Sequence, residues 1–132
     1  MQIVDLRQVH SRALEGLFQE EARHWMDELR WDYRPSLDLV RKFIDSRALG
    51  GYAASENGHL TGYGFYVLED HKGLIGGLYV SPRSSQRPTT ERLLTEMLAT
   101  LISGFAIICR TYEADGPDAD IYSKLREFGL SS

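Results

Sequence analysis

The stretch from Lys72 to Leu101, KGLIGGLYVSPRSSQRPTTERLLTEMLATL, constrains the fold more than any other part of the chain. Its apolar and aromatic first part predicts a strand over 74–80, and a polar loop with a proline at each side follows. Leucines at helical spacing then predict a helix that begins near Thr89 or Thr90. A strand that leads into the amino end of a helix leaves backbone N–H groups unpaired, and such groups bind phosphate. The sequence therefore predicts a phosphate-binding turn.

Two helices are predicted between the first strand and the rest of the chain. Residues 2–6 alternate apolar and polar side chains, as a half-buried strand does. A single apolar stripe at helical spacing follows, formed by Leu14, Leu17, Phe18, Ala22, Trp25 and Leu29. Pro35 disfavours helix at the residue before it, so Ser36 is expected to cap a second helix that carries Leu37, Val40, Phe43 and Ile44.

The middle of the chain has a period of two. Segments 51–55, 60–68 and 74–80 predict a three-stranded meander, and Asn57-Gly58 supplies the tight turn of its first hairpin. A strand over 105–112 and a helix over 119–128 complete the pattern. The predicted order is β-α-α-β-β-β-α-β-α, which is an α/β class of fold, more narrowly α+β.

Composition limits the class of protein. A chain of 132 residues suits one domain over 1–132, and a net charge of −4 gives no basic face for nucleic acid. The one cysteine, Cys109, falls in an apolar run and is expected in the core, which fits a cytoplasmic location. No segment is predicted to be a signal peptide or to cross or bind a membrane.

With these elements in this order, the chain resembles the GNAT superfamily of acyl-CoA N-acyltransferases. Leu78-Tyr79-Val80-Ser81-Pro82 is similar to the strand end of that family, Leu93-Leu94 to its following helix, and Phe128-Gly129-Leu130 to the close of its next helix. The resemblance implies a mixed, mostly antiparallel central sheet flanked by helices. It also implies acetyl-CoA as co-substrate, direct acyl transfer to an amine on a small-molecule or peptide acceptor, and coenzyme A pyrophosphate held by the loop.

The loop departs from the family pattern because no glycine stands at the expected positions in either alignment register. Pro88 has no N–H to donate, whereas nearby arginines supply positive charge and threonines supply hydroxyls. The expected cofactor contacts are Leu78, Val80, Arg83, Ser85, Gln86, Arg87, Thr89 and Thr90. The alternative is a first helical turn containing Pro88, with ordinary capping by Ser85 or Thr89 and arginines that face water.

The resemblance implies an oxyanion contact from a backbone N–H at about Tyr79 or Val80. The family often places a carboxylate base on the same strand, but Gly76 and Gly77 stand there. Other candidates for the base are Glu20, Glu21, His24, Glu69 and His71, each of which is alternatively a solvated surface charge. Many members of the family use a tyrosine on the last helix as the acid. Tyr122 lies one turn before the matching position and is the candidate for this role; alternatively, it is a partly buried aromatic residue. The catalytic candidates are therefore Tyr122, His24 and Tyr79.

Trp31 and Tyr33 are the expected acceptor contacts because they lie in a loop, where large aromatic groups have less structural reason to be. With Trp25, Tyr63, Phe65 and Tyr66 they are the candidates to line an acceptor cleft between the first two helices and the sheet. Trp25, on the apolar stripe, is expected to pack. Histidine and cysteine spacing predicts no metal site.

The family fold continues with two more strands after the segment that ends this chain. We therefore expect a homodimer or a longer protein, since the strand over 105–112 would otherwise leave an open edge. The sequence favours an acyl-CoA-dependent N-acyltransferase. The alternative is a non-catalytic GNAT-like domain or fragment that serves dimerisation, ligand sensing or support of a partner domain.

Overall fold

A computed structural model describes residues 1–69, 72–101 and 106–109 of the chain. Within them lie strand β1 (Gln2–Asp5), helix α1 (Glu15–Leu29), helix α2 (Arg34–Asp45), strands β2 (Gly50–Glu56), β3 (His59–Glu69) and β4 (Lys72–Val80), helix α3 (Gln86–Leu101) and strand β5 (Ala106–Cys109). Two short 3-10 turns, Leu6–Gln8 and Ser11–Leu14, connect β1 to α1. The predicted order is confirmed as far as β5, and the predicted helix over 119–128 lies outside the described residues.

The strands form one sheet in the order β1-β2-β3-β4-β5. The pairs from β1 to β4 are antiparallel, and β5 adds to β4 in parallel. The turn between β2 and β3 uses Asn57 and Gly58, both with positive φ (52° and 81°), as a tight hairpin requires. The predicted mixed, mostly antiparallel sheet flanked by helices is confirmed.

Helices cover both faces of the sheet and bury separate apolar clusters. On one face, α1 and α2 pack Phe18, Leu37 and Ile44 against Ala53 and Tyr63. On the other face, α3 packs a row of large side chains over glycines of β3 and β4, namely Leu93, Leu94, Met97, Leu98 and Leu101. The sheet is therefore the shared wall of two cores.

Two sequence expectations about the first helices are wrong. Leu29 was expected on the buried stripe but is 63% exposed, because α1 ends there and Arg30 turns into the left-handed region with φ 53°. Ser36 does not cap α2. The helix begins at Arg34, whose N–H and guanidinium both donate to Asp32, and Pro35 occupies the first turn, where a missing N–H breaks no helical bond.

Candidate functional site

Strand β4 has two halves with different partners. Lys72 to Ile75 pair in parallel with Ala106–Cys109 of β5, and Cys109 is the last described residue of the chain. The register with β3 shifts at the next residue: Ile75 opposes Tyr66 and Gly77 opposes Phe65, so Gly76 has no opposite residue. This is a β-bulge, which bends a strand and ends its regular pairing. Among the described strands, β3 alone pairs with the second half of β4, from Gly76 to Val80.

The glycines at the bulge are required by the ring of Phe65. A Cβ on Gly76 would lie 2.6 Å from Phe65 Cε2, and one on Gly77 would lie 2.4 Å from Phe65 Cε1. Both distances are too short for any side chain. The positions at which the family resemblance placed a carboxylate base therefore have no room for one in this chain.

A short loop connects β4 to α3. Ser81 N–H donates to Thr61 O at 2.8 Å, and Ser84 N–H donates to Ser81 O at 3.1 Å. The first helical bond runs from Thr89 N–H to Ser85 O at 3.1 Å, so α3 begins at Gln86 and not at the predicted Thr89 or Thr90. Pro88 thus lies in the first turn, where its missing N–H costs no bond.

This earlier start changes the role of several predicted loop residues. Thr90 Oγ1 donates to Gln86 O at 2.7 Å, and Gln86 Nε2 donates to Val80 O at 3.3 Å, so both side chains bond to the protein itself. The Thr89 side chain is fully buried, and its Oγ1 has no hydrogen-bond partner among the described residues. The Thr89 side chain is therefore closed to solvent, whereas those of Gln86 and Thr90 each use one hydrogen bond on the protein itself.

The amino end of α3 nevertheless presents donors. The backbone N–H groups of Gln86 and Arg87 have no acceptor within residues 1–69, 72–101 and 106–109, and Ser85 is exposed beside them. The Arg87 guanidinium is exposed and lies 3.5 Å from Glu91, a distance at which the ion pair is weak. A diphosphate therefore fits this end through two amides and a cation, with the helix dipole adding to the attraction.

The predicted contacts on β4 lie with their side chains away from the loop. Leu78 and Val80 pack against α3. Only the backbone atoms of these two residues are therefore available to contact a ligand at the loop.

On the opposite face of the sheet, Glu20 connects α1 to the end of β4. Tyr79 Oη donates to Glu20 Oε1 at 3.2 Å, and Arg83 Nη2 donates to Glu20 Oε2 at 2.6 Å. Burial opposes ionisation of Glu20, but bonds from Arg83, Ser81 and Tyr79 outweigh it and lower the pKa of this carboxyl. Burial, together with Glu20, raises the pKa of Tyr79 to about 12. The Arg83 guanidinium therefore forms an ion pair with Glu20 on this face of the sheet.

Glu21 is the buried carboxyl of the site. It is 3% exposed, its Oε2 accepts from Trp25 Nε1 at 3.2 Å, and its Oε1 accepts from the Tyr63 hydroxyl. Burial raises the pKa of Glu21, and the two hydrogen bonds oppose that shift. The alternative of a solvated surface charge is wrong for this residue, because the chain turns this position of α1 toward β3.

An aromatic cluster, defined here as Trp25, Trp31 and Tyr33, stands beside these carboxyls. The Trp31 and Tyr33 ring centroids are 4.7 Å apart, and Trp25 lies 5.7 Å from Trp31 and 6.1 Å from Tyr33. His24 is exposed, with its ring 4.9 Å from Trp25 and 6.1 Å from Tyr79. The predicted acceptor contacts and one predicted base are thus brought together.

A cleft of about 790 Å³ opens between α2 and strands β3 and β4. Its wall includes Tyr33, Phe43, Phe65 and Gly76, so it reaches from the α1–α2 connection to the bulge of β4. Trp31 does not line it. The cleft lies where the sequence predicts one, between the first two helices and the sheet, and Tyr33, Phe65 and Tyr66 are part of its wall. The sequence did not predict the contribution of Leu39 and Phe43 of α2, which remain about half exposed.

Other predicted site residues lie outside this description. Tyr122 and His71 are not among the described residues, and neither is the side chain of Glu69. Across the described ranges no group of His, Cys, Asp and Glu is placed to hold a metal ion. In the same ranges no helix is long and apolar enough to cross a membrane.

Several solved structures share this fold. A ribosomal-protein-alanine N-acetyltransferase from Brucella melitensis superposes with a TM-score of 0.68 at 12% identity, over 94% of this chain and 82% of that one. A probable acetyltransferase gives 0.69 at 14% identity, over 100% and 91%. The aminoglycoside N-acetyltransferase AAC(6')-Iy, in complex with a bisubstrate analogue CoA-S-monomethyl-acetylneamine, gives 0.61 at 15% identity, over 99% and 90%.

No family model and no curated protein sequence matches the chain. The likeness is therefore one of architecture. This chain has the GNAT acetyltransferase fold.

Proposed function

We propose that this protein is an N-acyltransferase that moves an acyl group from acetyl-CoA, or a related acyl-CoA, directly to an amine. The observation that carries the proposal is the β-bulge at Gly76, on the strand that leads to an α3 amino end whose first amides have no acceptor among the described residues. A bulged strand followed directly by a helix amino terminus suits a long ligand that carries a diphosphate.

The donor site would be formed mainly by the main chain. Gln86 and Arg87 would hold the pyrophosphate with their N–H groups, and the Arg87 guanidinium would add a charge-assisted bond. Acetyl-CoA or a related acyl-CoA, when bound, would supply the activated thioester, and coenzyme A would leave as the thiol. A backbone N–H at Tyr79 or Val80 would stabilise negative charge on the carbonyl oxygen, which needs no particular side chain.

We assign proton acceptance from the amine to His24. Both oxygens of Glu20 and both of Glu21 already accept bonds from internal donors, whereas the His24 ring is exposed beside Tyr79. Histidine is the most frequent general base in enzymes. Tyr122 stays the proposed acid for the departing thiolate. A cytoplasmic location, and a homodimer or membership of a longer chain, stay predictions.

Calorimetric titration with acetyl-CoA tests the donor site. We expect saturable binding by the wild type, about tenfold weaker binding by Arg87→Ala from loss of a charge-assisted bond, and unchanged binding by Arg92→Ala, an exposed arginine beyond the first turn of the same helix. If millimolar acetyl-CoA produced no heat, the proposed enzymatic function would be wrong and the non-catalytic alternative would stand.

Release of free thiol with an amine present tests the chemistry. Replacing His24 with Gln should lower kcat by about 100-fold while the Kd for acetyl-CoA stays unchanged. An unchanged kcat would assign the base to another residue.

A further inference from the structure

The cleft between α2 and strands β3 and β4 begins where the proposed acyl transfer would take place. Gly76 and Phe65, which form the bulge, are part of its wall. The cleft lies on the face of the sheet covered by α1 and α2, the same face as the Glu20–Tyr79 contact. On the proposed function, which this inference requires, an amine at the bulge would extend the rest of its molecule into this cleft.

The wall of the cleft is apolar although it is open to solvent. Leu39 and Phe43 of α2 are 56% and 49% exposed, and Val67 of β3 is 42% exposed. Large aliphatic and aromatic groups that stay together in water mark a ligand or partner site. The volume of about 790 Å³ lies in the range of small-molecule sites, roughly 300–1,000 Å³. An apolar molecular body suits this wall.

The charge on the rim of the cleft is positive. Its described lining contains Arg7 and Arg47 and no carboxylate. Arg7 is paired with Asp5 at 2.9 Å. Arg47 donates to the backbone oxygen of Arg7 and forms no ion pair with a described carboxylate, so its charge is uncompensated there. A cationic group at this end of a ligand is disfavoured, and an anionic group is favoured.

The sheet register sets the span between the two ends. Gly50, on the rim beside Arg47, pairs with Tyr66 of β3, and Tyr66 pairs with Ile75 of β4, next to Gly76. Two strand spacings, roughly 10 Å, separate the backbone at Gly50 from the backbone beside the bulge. A ligand with its amine at the bulge and an anionic group near Arg47 would therefore be an elongated molecule of about this length.

We propose that the acceptor is a primary amine with an apolar chain or ring system and an anionic group roughly 10 Å from its nitrogen. Polyamines and other polycationic amines are expected to bind more weakly because their second cation would lie near Arg47.

Three probes of equal chain length separate the contributions of charge and apolar body: 8-aminooctanoate, 1-aminooctane and 1,8-diaminooctane. Each is titrated calorimetrically into the full chain, with and without coenzyme A. We expect 8-aminooctanoate to bind about tenfold more tightly than 1-aminooctane, because a guanidinium–carboxylate contact is charge-assisted, and the diamine to bind most weakly. Equal or tighter binding of the diamine would overturn the proposal.

Variants locate the site. Arg47→Gln should remove the advantage of 8-aminooctanoate over 1-aminooctane and leave 1-aminooctane unchanged. Phe43→Ala should weaken both, whereas Leu29→Ala, an exposed leucine outside the cleft, should weaken neither. Retention of the 8-aminooctanoate advantage in Arg47→Gln would overturn the assignment of the rim.

These titrations do not depend on turnover, so the two proposals fail separately. If the protein does not bind acetyl-CoA, the proposed enzymatic function is wrong. If it binds acetyl-CoA but prefers the diamine, the proposed function stands and the proposed acceptor class is wrong.

Discussion

Glu20 and Glu21 are consecutive in the sequence, but one carboxyl is in a salt bridge and the other is buried. Glu21 faces β3 and is buried with two uncharged donors, so its pKa is raised, whereas Glu20 meets the Arg83 guanidinium and its pKa is lowered. One residue of helix rotation thus separates an interior carboxyl from a salt-bridged one. Since folding changes the two pKa values in opposite directions, the two residues make opposite contributions to the pH dependence of stability.

Replacing Glu21 with Gln tests this difference. The native state holds the Glu21 proton more tightly than the unfolded chain does, so its stabilising contribution is complete below the unfolded pKa of about 4.5 and is lost as pH rises through the folded value. The free energy of unfolding of the wild type minus that of Glu21→Gln should therefore fall as pH increases above about 4.5. Urea unfolding at a series of pH values measures it.

Glu20→Gln is the matched control because the sign reverses. The contribution of Glu20 is present above the unfolded pKa of about 4.5 and is lost as pH falls through the folded value. The difference between the wild type and this variant should decrease toward acid pH. A difference for Glu21→Gln that is independent of pH would show that burial does not shift its titration.

At the scale of elements, the bulge in β4 depends on small residues beneath Phe65. Gly77→Ala should destabilise the protein by about 1–3 kcal/mol, since its Cβ would lie 2.4 Å from the ring in a packed interior. Gly16→Ala, at a position in α1 with nothing within 4 Å, should instead stabilise it by about 0.5–1 kcal/mol. Urea unfolding compares them. An equally small effect of both would show that Phe65 moves aside freely.

The carboxyl end of α1 is a second element with a testable feature. Arg30 has φ 53°, and its N–H donates to Met26 O at 3.0 Å, which is an αL ending of the helix. Glycine adopts this conformation without strain, so Arg30→Gly should stabilise the protein by about 0.5–1 kcal/mol. Arg23→Gly, inside the same helix and also exposed, should cost about 1 kcal/mol. Thermal or urea unfolding measures both effects. Destabilisation by Arg30→Gly as well as by Arg23→Gly would contradict the assigned helix end.

Elements with a clear local period were predictable, and arrangements made by tertiary packing were not. Alternation and the Asn57-Gly58 turn were sufficient to predict the meander. Glu21 was expected at the surface because it is charged. Its burial depends on hydrogen bonds from Tyr63 and Trp25, and the Tyr63 contact joins segments that are far apart in the sequence. The start of α3 was placed late because Pro88 suggested a loop, although proline is compatible with a first helical turn. The aromatic residues predicted a cleft between the first two helices and the sheet, but the part of its wall formed by Leu39 and Phe43 depends on how α2 packs and could not be predicted from one segment.

At the scale of the whole molecule, two cores share one sheet. Both tryptophans, Trp25 and Trp31, lie on the side of α1 and α2, whereas Leu98 of α3 is fully buried on the other side. Tyrosine and glycine residues of β2 and β3 contact α3 from the shared strands. If the sheet cannot persist without either layer, the two cores unfold in one transition, as small domains usually do.

Leu98→Ala tests that coupling, because tryptophan fluorescence reports only the layer that the substitution does not touch. Removing a fully buried leucine should cost about 2–5 kcal/mol, and the urea midpoint should fall equally by fluorescence and by far-UV circular dichroism. Leu29→Ala, exposed at the end of α1, should change either midpoint little. A fluorescence midpoint that stays at the wild-type value while the circular dichroism midpoint falls would mean that the α1–α2 layer keeps its structure without α3, and that the donor and acceptor sides of the proposed site are stabilised independently.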